Sequence, residues 1–331
     1  MRQTDLLPDS TMNPAPLAAL SRRALIVELS RAGCVALMLG GSHSARSIER
    51  SVATNAQPGI ETLRILRSRI ELQFAPGFTQ GLQAVARSWV IRSADAVARY
   101  FGRFPVPKAE LLLVPEDGSG VRTGVTYAEP SLLIRIRLGR DTTEAQFIDD
   151  SVLVREMVHL AIPRIPRAQN WLSEGVATYV ESVARGRVGL VSAETVWREW
   201  ATAMPQGQPR AGDAGLDHTP TWGRTYWGGA MFCLLADVEL LKRSQLRTGL
   251  QQALQGVLAA GGQYGAPWTA ERIFAAADAA VGQSVLTDLY GRMKDSTEPV
   301  DLTGLWRELG TTGGTLNDKA PLAHVRRAIL A

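Results

Sequence analysis

Arg155, Glu156 and His159 lie within one predicted helix and could carry chemistry together. Residues four apart on a helix share a face, so positions 155 and 159 could hold one ion, with Glu156 beside it. The spacing is that of the pattern H-E-x-x-H, in which two histidines bind zinc and the glutamate acts as general base. Here arginine replaces the first histidine, and arginine has no lone pair to offer a metal. The segment therefore predicts a zinc-type site with one ligand missing.

A second segment, running from Trp171 to Glu181, follows after a short connection and reads W-L-S-E-G-V-A-T-Y-V-E. Catalytic zinc takes three protein ligands and leaves a fourth position for water, so a ligand from outside the first helix is needed. Together the two segments resemble the gluzincin metallopeptidases, especially the aminopeptidase-N-like and glycyl-aminopeptidase-like families. The resemblance implies that Glu174 is a zinc ligand and that Thr178, one turn further on, lies just behind it.

The resemblance extends to a tyrosine and to an edge strand. A tryptophan and two glycines follow Tyr226, and by the resemblance its hydroxyl would donate a hydrogen bond to the oxyanion of the substrate. The families also have a substrate-lining strand before the zinc helix, which here corresponds to Gly124, Val125, Thr126 and Tyr127. No G-x-M-E-N motif is found on that strand, so recognition of a free amino terminus is not expected. The likeness covers about residues 62 to 245.

A fixed positive charge at position 155 would further weaken zinc binding. At about 4 Å and an effective dielectric near 20, repulsion between a guanidinium and a dication is at most roughly 8 kcal/mol. Arg155 could instead replace the ion as a counter-charge between Glu156 and Glu174. His218 is a candidate substitute ligand from a loop. Read without the resemblance, His159 would be an ordinary core histidine and Glu174 a helix cap.

Composition excludes several other classes of function. The chain has 331 residues and a net charge of +4, without a long Lys/Arg run or an aromatic platform, so nucleic-acid binding is not expected. Its two cysteines, Cys34 and Cys233, form no C-x-x-C pair, which excludes a cysteine-based metal site. The apolar neighbours of Cys233 predict an inert thiol in a helix core.

The first 45 residues resemble an export signal. Ser21-Arg-Arg23 precedes a short apolar run at 32–41, and small residues follow it. We therefore expect residues 1–45 to direct export to the periplasm or the outside, with 46–60 as a linker; the alternative is an amphipathic segment that is not cleaved. The apolar run is too short to span a bilayer, so no integral membrane segment is expected in the mature chain.

Hydrophobic periodicity predicts an α+β fold, in which a small mixed-sheet lobe precedes a helical lobe. By the resemblance this is a thermolysin-like metallopeptidase domain over 61–331, with its active-site cleft between the lobes 61–167 and 168–331. Strand patterns cover 62–74, 110–114, 123–127 and 132–138. Helical patterns cover 78–101, 141–162, 171–185, 193–204, 226–243, 245–259, 269–280, 283–294 and 301–308.

The sequence thus indicates an exported protein of the metallopeptidase family. Zinc is the cofactor of that family, yet its binding is expected to be weak or absent here because of Arg155, so peptide hydrolysis is expected to be impaired or lost. Two alternatives remain: an active zinc peptidase that uses His159, Glu174 and a further ligand, or a non-catalytic module that binds a peptide or a protein. The sequence indicates no oligomeric state.

Overall fold

The computed structural model describes residues 59–129, 131–312 and 315–331. The expected export signal, most of the expected linker and the predicted strand break at Pro130 lie outside the described residues. The described chain is a five-stranded sheet followed by helices, which confirms the predicted α+β class. Within this described part, no helix is both long and apolar enough to cross a bilayer.

One sheet contains every named strand of the described chain. The strands are β1 Ile60–Ile65, β2 Ser68–Phe74, β3 Lys108–Glu116, β4 Val121–Tyr127 and β5 Leu133–Gly139. Their order across the sheet is β1-β2-β3-β5-β4. β2, β3 and β5 run parallel, whereas β1 and β4 pair antiparallel at the two edges. Helix α1, Gln80–Phe101, provides the crossover that the parallel pair β2–β3 requires. Within the described residues, β4 is an edge strand of this sheet.

The single strand predicted before α1 is a hairpin instead. β1 and β2 pair antiparallel, and the chain reverses at Leu66, which is exposed and has a φ of +54°. Buried positions change from odd numbers (Leu63, Ile65) to even numbers (Ile70, Leu72) across this turn. A continuous strand would keep its phase, so the shift marks the reversal. The turn contains no Gly, Pro or Asn, so its residue types do not indicate a turn in the sequence.

The remaining helices follow the sheet. They are α2 Glu144–Ile148, α3 Val152–His159, α4 Asn170–Arg187, α5 Ala193–Ala203, α6 Gly229–Arg243, α7 Leu250–Ala259, α8 Ala270–Val281, α9 Val285–Met293, α10 Leu302–Leu309 and α11 Ala323–Ile329. Short 3₁₀ turns cover Arg167–Gln169 and Met204–Gly207, and a π-helical turn covers Arg224–Gly228. The π turn leads directly into α6.

The helix predicted over 141–162 is wrong in one respect, because it is divided into α2 and α3. Asp150 lies at the break, where its carboxylate accepts hydrogen bonds from the backbone N–H groups of Val152 and Leu153, both at 3.1 Å. The indole of Trp89 donates to the same carboxylate at 3.2 Å. A buried aspartate in this position starts a new helix rather than continuing the old one. Asp150 thereby fixes where α3, the helix of the zinc-type motif, begins.

The helix predicted from 245 begins later, at Leu250. Gln245 and Leu246 have φ values of +53° and +66°, which no right-handed helix accommodates. The start of α7 is set by a distant side chain, because Asp237 in α6 accepts the Leu250 N–H at 2.8 Å. Cys233 lies one turn before Asp237 and is fully buried, and burial raises the pKa of its thiol. The position of Cys233 therefore agrees with the predicted inert thiol in a helix core.

Candidate functional site

Five residues singled out from the sequence come together where α3, α4 and the π turn meet. α3 contributes Arg155, Glu156 and His159, α4 contributes Glu174, and the π turn contributes Tyr226. The His159 Nε2 lies 3.6 Å from the Glu174 Oε2. The Arg155 guanidinium carbon lies 5.8 Å from the centre of the Tyr226 ring, and its Nη2 lies 4.0 Å from the Glu156 Oε1. The described chain thus contains one compact cluster of two acids, one histidine, one arginine and one tyrosine at this point.

The edge strand β4 packs directly against Glu156. The Thr126 hydroxyl lies 2.8 Å from the Glu156 Oε2 and 3.2 Å from the Glu156 backbone carbonyl, so it can donate to either oxygen. Gly124 faces the same side chain so closely that a Cβ there would overlap the Glu156 methylenes. Glycine at 124 is therefore required by the approach of α3 to the strand. These contacts hold Glu156 against β4.

The other two residues expected to line a substrate point the opposite way. Successive side chains of a strand alternate between its faces, so Val125 and Tyr127 lie on the far side from Gly124 and Thr126. The side chain of Val125 is 41% exposed. The Tyr127 hydroxyl accepts a hydrogen bond from Arg135 Nη2 at 2.8 Å. Their backbone groups alternate with those of Gly124 and Thr126 and so face β5, which leaves Gly124 and Thr126 as the two that can meet a ligand along the edge.

The His159–Glu174 contact dominates the electrostatics of the site. Burial lowers the pKa of His159, but the contact with Glu174 and the charge of Glu156 raise it more, so its pKa lies above the ordinary value. Burial raises the pKa of Glu174, yet His159 and then Arg155 outweigh burial, so its pKa is lowered. The other ring nitrogen, His159 Nδ1, lies 3.1 Å from the Ser173 hydroxyl. The imidazole is thus fixed on both sides by residues of α4.

Tyr226 approaches Glu174 from the π turn, and the proximity of its hydroxyl helps to lower the pKa of that carboxyl. Burial and the charge of Glu174 raise the pKa of Tyr226. Two glycines make this approach possible: a Cβ on Gly175 would overlap the backbone of Gly229, and a Cβ on Gly229 would overlap the Trp171 carbonyl. The glycines that follow Glu174 and Tyr226 in the sequence therefore allow α4 and α6 to touch. π-helical turns of this kind occur frequently at functional sites.

Arg155 sits at the rim of the cluster. Its side chain is 29% exposed, while its Nε is buried and has no hydrogen-bond partner among the described residues. The counter-charge expected between Glu156 and Glu174 is only partly realised, because the basic side chain in contact with Glu174 is that of His159. Arg155 instead faces Glu156 at a distance beyond hydrogen-bonding range and lies over the Tyr226 ring.

Neither Thr178 nor His218 is hydrogen-bonded to the cluster in the described part of the chain. Thr178 is 1% exposed, and its hydroxyl has no hydrogen-bond partner in the part of the chain that the structure describes. His218 pairs through its Nε2 with Asp295 at 2.8 Å, on the solvent-exposed surface. An imidazole held there is not available as the substitute ligand considered above.

Two residues of the site were not anticipated from the sequence. The Tyr264 hydroxyl donates to the Thr126 backbone carbonyl at 2.9 Å and so covers part of the open edge of β4. Burial and then the charges of Glu156 and Glu174 raise the pKa of Tyr264. The other residue is Ser173, the variable position of the second motif. A buried histidine needs a partner for its second nitrogen, and a hydroxyl next to Glu174 could have suggested Ser173.

The donor set fits a catalytic zinc only in part. Two ligands at about 2.1 Å from one tetrahedral ion are about 3.4 Å apart, which is close to the 3.6 Å between His159 and Glu174. The third donor is missing, since Arg155 occupies its position. Residues 59–129, 131–312 and 315–331 contain no group of three His, Cys, Asp or Glu residues arranged to hold a metal ion. The residues present therefore do not complete a catalytic zinc site.

Comparison with known proteins identifies the fold. No protein-family model and no curated protein matches this chain. A mutant of a two-domain M1 zinc metallopeptidase bound to L-arginine matches with a TM-score of 0.50 and 17% identity, over 73% of this chain and 54% of that one. This chain shares the fold of part of that M1 zinc metallopeptidase.

Two further solved structures are similar at slightly lower scores. An aminopeptidase N family protein from Idiomarina loihiensis has a TM-score of 0.49 and 13% identity, over 81% of this chain and 48% of that one. An M1 zinc metallopeptidase from Deinococcus radiodurans has a TM-score of 0.47 and 15% identity, over 72% and 53%. The present chain thus spans about half the length of the structures it matches.

Proposed function

We propose that this chain is a metallopeptidase-like protein that has lost zinc-dependent hydrolysis and that binds peptides without cutting them. The observation that carries the proposal is Arg155. It places a permanent cation, without a lone pair, where a third ligand would be needed beside His159 and Glu174. Without that ligand the site lacks the metal that would activate a water molecule, and Glu156 has no activated water to deprotonate.

Peptide binding is favoured by the open edge of β4 at the site. The Tyr264 hydroxyl donates to the Thr126 carbonyl from outside the sheet, which shows that this carbonyl points away from β5. Backbone groups two residues apart in a strand point the same way, so the N–H and C=O of Gly124 face the same edge. An extended peptide can add to such an edge through main-chain hydrogen bonds. The active-peptidase alternative would need a further ligand, and the described residues provide none.

The proposal is tested by incubating the unmodified chain and Arg155→His with zinc and a degenerate peptide pool. Mass spectrometry then follows both cleavage and retention of peptides. The unmodified chain should retain peptides and leave them intact. Arg155→His restores the missing donor next to a pair already spaced for zinc, so it should gain cleavage that Arg155→His/Glu156→Gln lacks. Zinc-dependent cleavage by the unmodified chain would overturn the proposal.

A further inference from the structure

Arg155 has hydrogen-bonding capacity that the described residues do not use. A guanidinium carries five N–H donors in a planar fork. The nearest acidic oxygen, Glu156 Oε1, is 4.0 Å away, and the Arg155 Nε is buried without a partner among the described residues. Leaving such a donor unpaired in a buried position costs about 1–3 kcal/mol, more when the group is charged. A ligand that accepts these hydrogen bonds would recover that cost.

The neighbouring acids are already engaged elsewhere. Glu156 accepts from Thr126 at 2.8 Å, and Glu174 contacts His159 at 3.6 Å. Both carboxylates therefore already have partners other than Arg155. The Tyr226 ring lies beneath the guanidinium at 5.8 Å, and this contact leaves the N–H groups in the guanidinium plane free. Arg155 is thus a partly exposed cation whose side chain has no hydrogen-bond partner among the described residues.

We propose that Arg155 captures the terminal carboxylate of a bound peptide, so that the site binds peptide C-termini. A carboxylate matches the guanidinium fork through two parallel N–H···O bonds, which an amide or an amino group cannot reproduce. This proposal rests on the proposed function, peptide binding, and adds that the site binds the C-terminal end of the peptide.

Two further contacts suit a chain that ends at this point. Tyr264 already occupies the Thr126 carbonyl, so an extended ligand cannot continue its main-chain pairing through that position. Next to the site, Trp222 is 59% exposed and its ring lies 5.8 Å from that of Tyr226, which offers an apolar surface to a side chain near the terminus. A peptide that pairs along Gly124 and ends at Arg155 would satisfy both constraints.

The test uses two fluorescent, degenerate, N-acetylated pentapeptide pools that differ only in a C-terminal carboxylate or carboxamide. Fluorescence anisotropy measures the binding of each pool to the whole chain. The carboxylate pool should bind at least about tenfold more tightly, the difference expected for a charge-assisted hydrogen bond pair. Arg155→Gln should abolish the difference. The matched control is Arg67→Gln, an exposed arginine next to β1 at the opposite edge of the sheet, which should keep the difference.

The outcomes separate this inference from the proposed function. Equal binding of both pools by the unmodified chain would overturn the carboxylate assignment and leave peptide binding standing. A preference that persists in Arg155→Gln, with thermal melting unchanged, would also overturn the assignment. Absence of binding by a folded chain would overturn both proposals, and hydrolysis of either pool would contradict the loss of catalysis.

Discussion

Thr126 connects the edge strand β4 to α3, the helix of the zinc-type motif, through the hydrogen bonds of its hydroxyl group. Its hydroxyl contacts both the carboxylate and the carbonyl of Glu156, and its own carbonyl accepts from Tyr264. We expect Thr126→Val to lower the free energy of unfolding by about 1–2 kcal/mol, because Glu156 loses a hydrogen bond to a charged group. Urea denaturation would measure the change.

A matched control lies three positions earlier on the same strand. Thr123 is exposed, and Thr123→Val should change the free energy of unfolding by no more than about 0.5 kcal/mol. Equal effects of the two substitutions would show that β propensity, and not the link to Glu156, explains the loss.

The residues of the site were predictable to the extent that helix geometry brings them together. Positions 155, 156 and 159 are tied by the helical repeat, and Glu174 and Tyr226 were identified by resemblance. Ser173 and Tyr264 were missed because their contacts join segments that are distant in sequence or depend on a rotamer. The pairing of His159 with Glu174, rather than Arg155 with Glu174, also depends on three-dimensional placement that spacing alone does not give.

At the scale of elements, the crossing of α4 and α6 fixes the separation between Glu174 and Tyr226. Gly175 allows this crossing, because any Cβ there would overlap the Gly229 backbone. We expect Gly175→Ala to lower the free energy of unfolding by about 1–3 kcal/mol, since overpacking between backbones is difficult to relieve. Thermal and urea unfolding would measure the loss.

Gly291 is the control for that substitution. It is exposed in α9, and a Cβ there meets nothing within 4 Å. Gly291→Ala should therefore stabilise the protein by up to about 1 kcal/mol through helix propensity. If Gly175→Ala were stabilising to the same degree, the close approach of α4 and α6 described here would be incorrect.

The start of α3 provides a second prediction at this scale. Asp150→Ala removes the acceptor of two backbone N–H groups and of the Trp89 indole. A lost helix cap costs about 0.5–2 kcal/mol, and the unpaired buried indole adds to this. Asp149→Ala, an exposed neighbour whose backbone carbonyl still accepts from Arg185, should change little. Circular dichroism during urea unfolding distinguishes them, and equal losses would exclude Asp150 as the cap.

Element boundaries show where local pattern stops being informative. Period-two and period-3.6 patterns predicted most strands and helices close to their observed ends. The break at Asp150 and the late start of α7 both depend on aspartates whose partners lie outside the local repeat. The β1–β2 hairpin did leave a signal, the change of phase between Ile65 and Ile70, which was read as one strand.

Across the whole molecule, buried acids set a pH dependence of stability. Burial raises the pKa of Asp237 above its ordinary 3.8, and hydrogen bonds from Leu250 and Tyr179 only partly oppose this. The folded state therefore holds this proton more tightly than the unfolded chain does. Protonated Asp237 therefore stabilises the folded state. This stabilisation is complete below pH 3.8 and is lost as the pH rises through the pKa that Asp237 has in the folded protein.

Asp237→Asn removes this titration, although it also disturbs the hydrogen bond from Tyr179. The stability of the variant relative to the parent should consequently increase as the pH rises through that window. Urea unfolding at several pH values measures the difference in free energy of unfolding between variant and parent. The test depends on how this difference changes with pH and not on its absolute value. A relative stability that stays constant or declines with pH would contradict an elevated pKa for Asp237.

The overall architecture was predictable because strands precede helices in the sequence, whereas the order of the strands was not. The sheet places β5 between β3 and β4, which puts β4 at the edge beside α3. That placement follows from the pairing of β5 with β3, which is distant in sequence. It makes the backbone of β4 the one that a ligand beside α3 can reach. The similarity to an M1 zinc metallopeptidase is one of fold, whereas the described residues contain no group of three side chains arranged to hold a metal ion.

Zinc occupancy tests the central claim most directly. The unmodified chain and Arg155→His are dialysed against buffered zinc, and bound metal is then counted by elemental mass spectrometry. The account predicts far less than one zinc ion per unmodified chain and about one per chain for Arg155→His, in which three protein donors surround the ion. A full equivalent of tightly held zinc in the unmodified chain would contradict it.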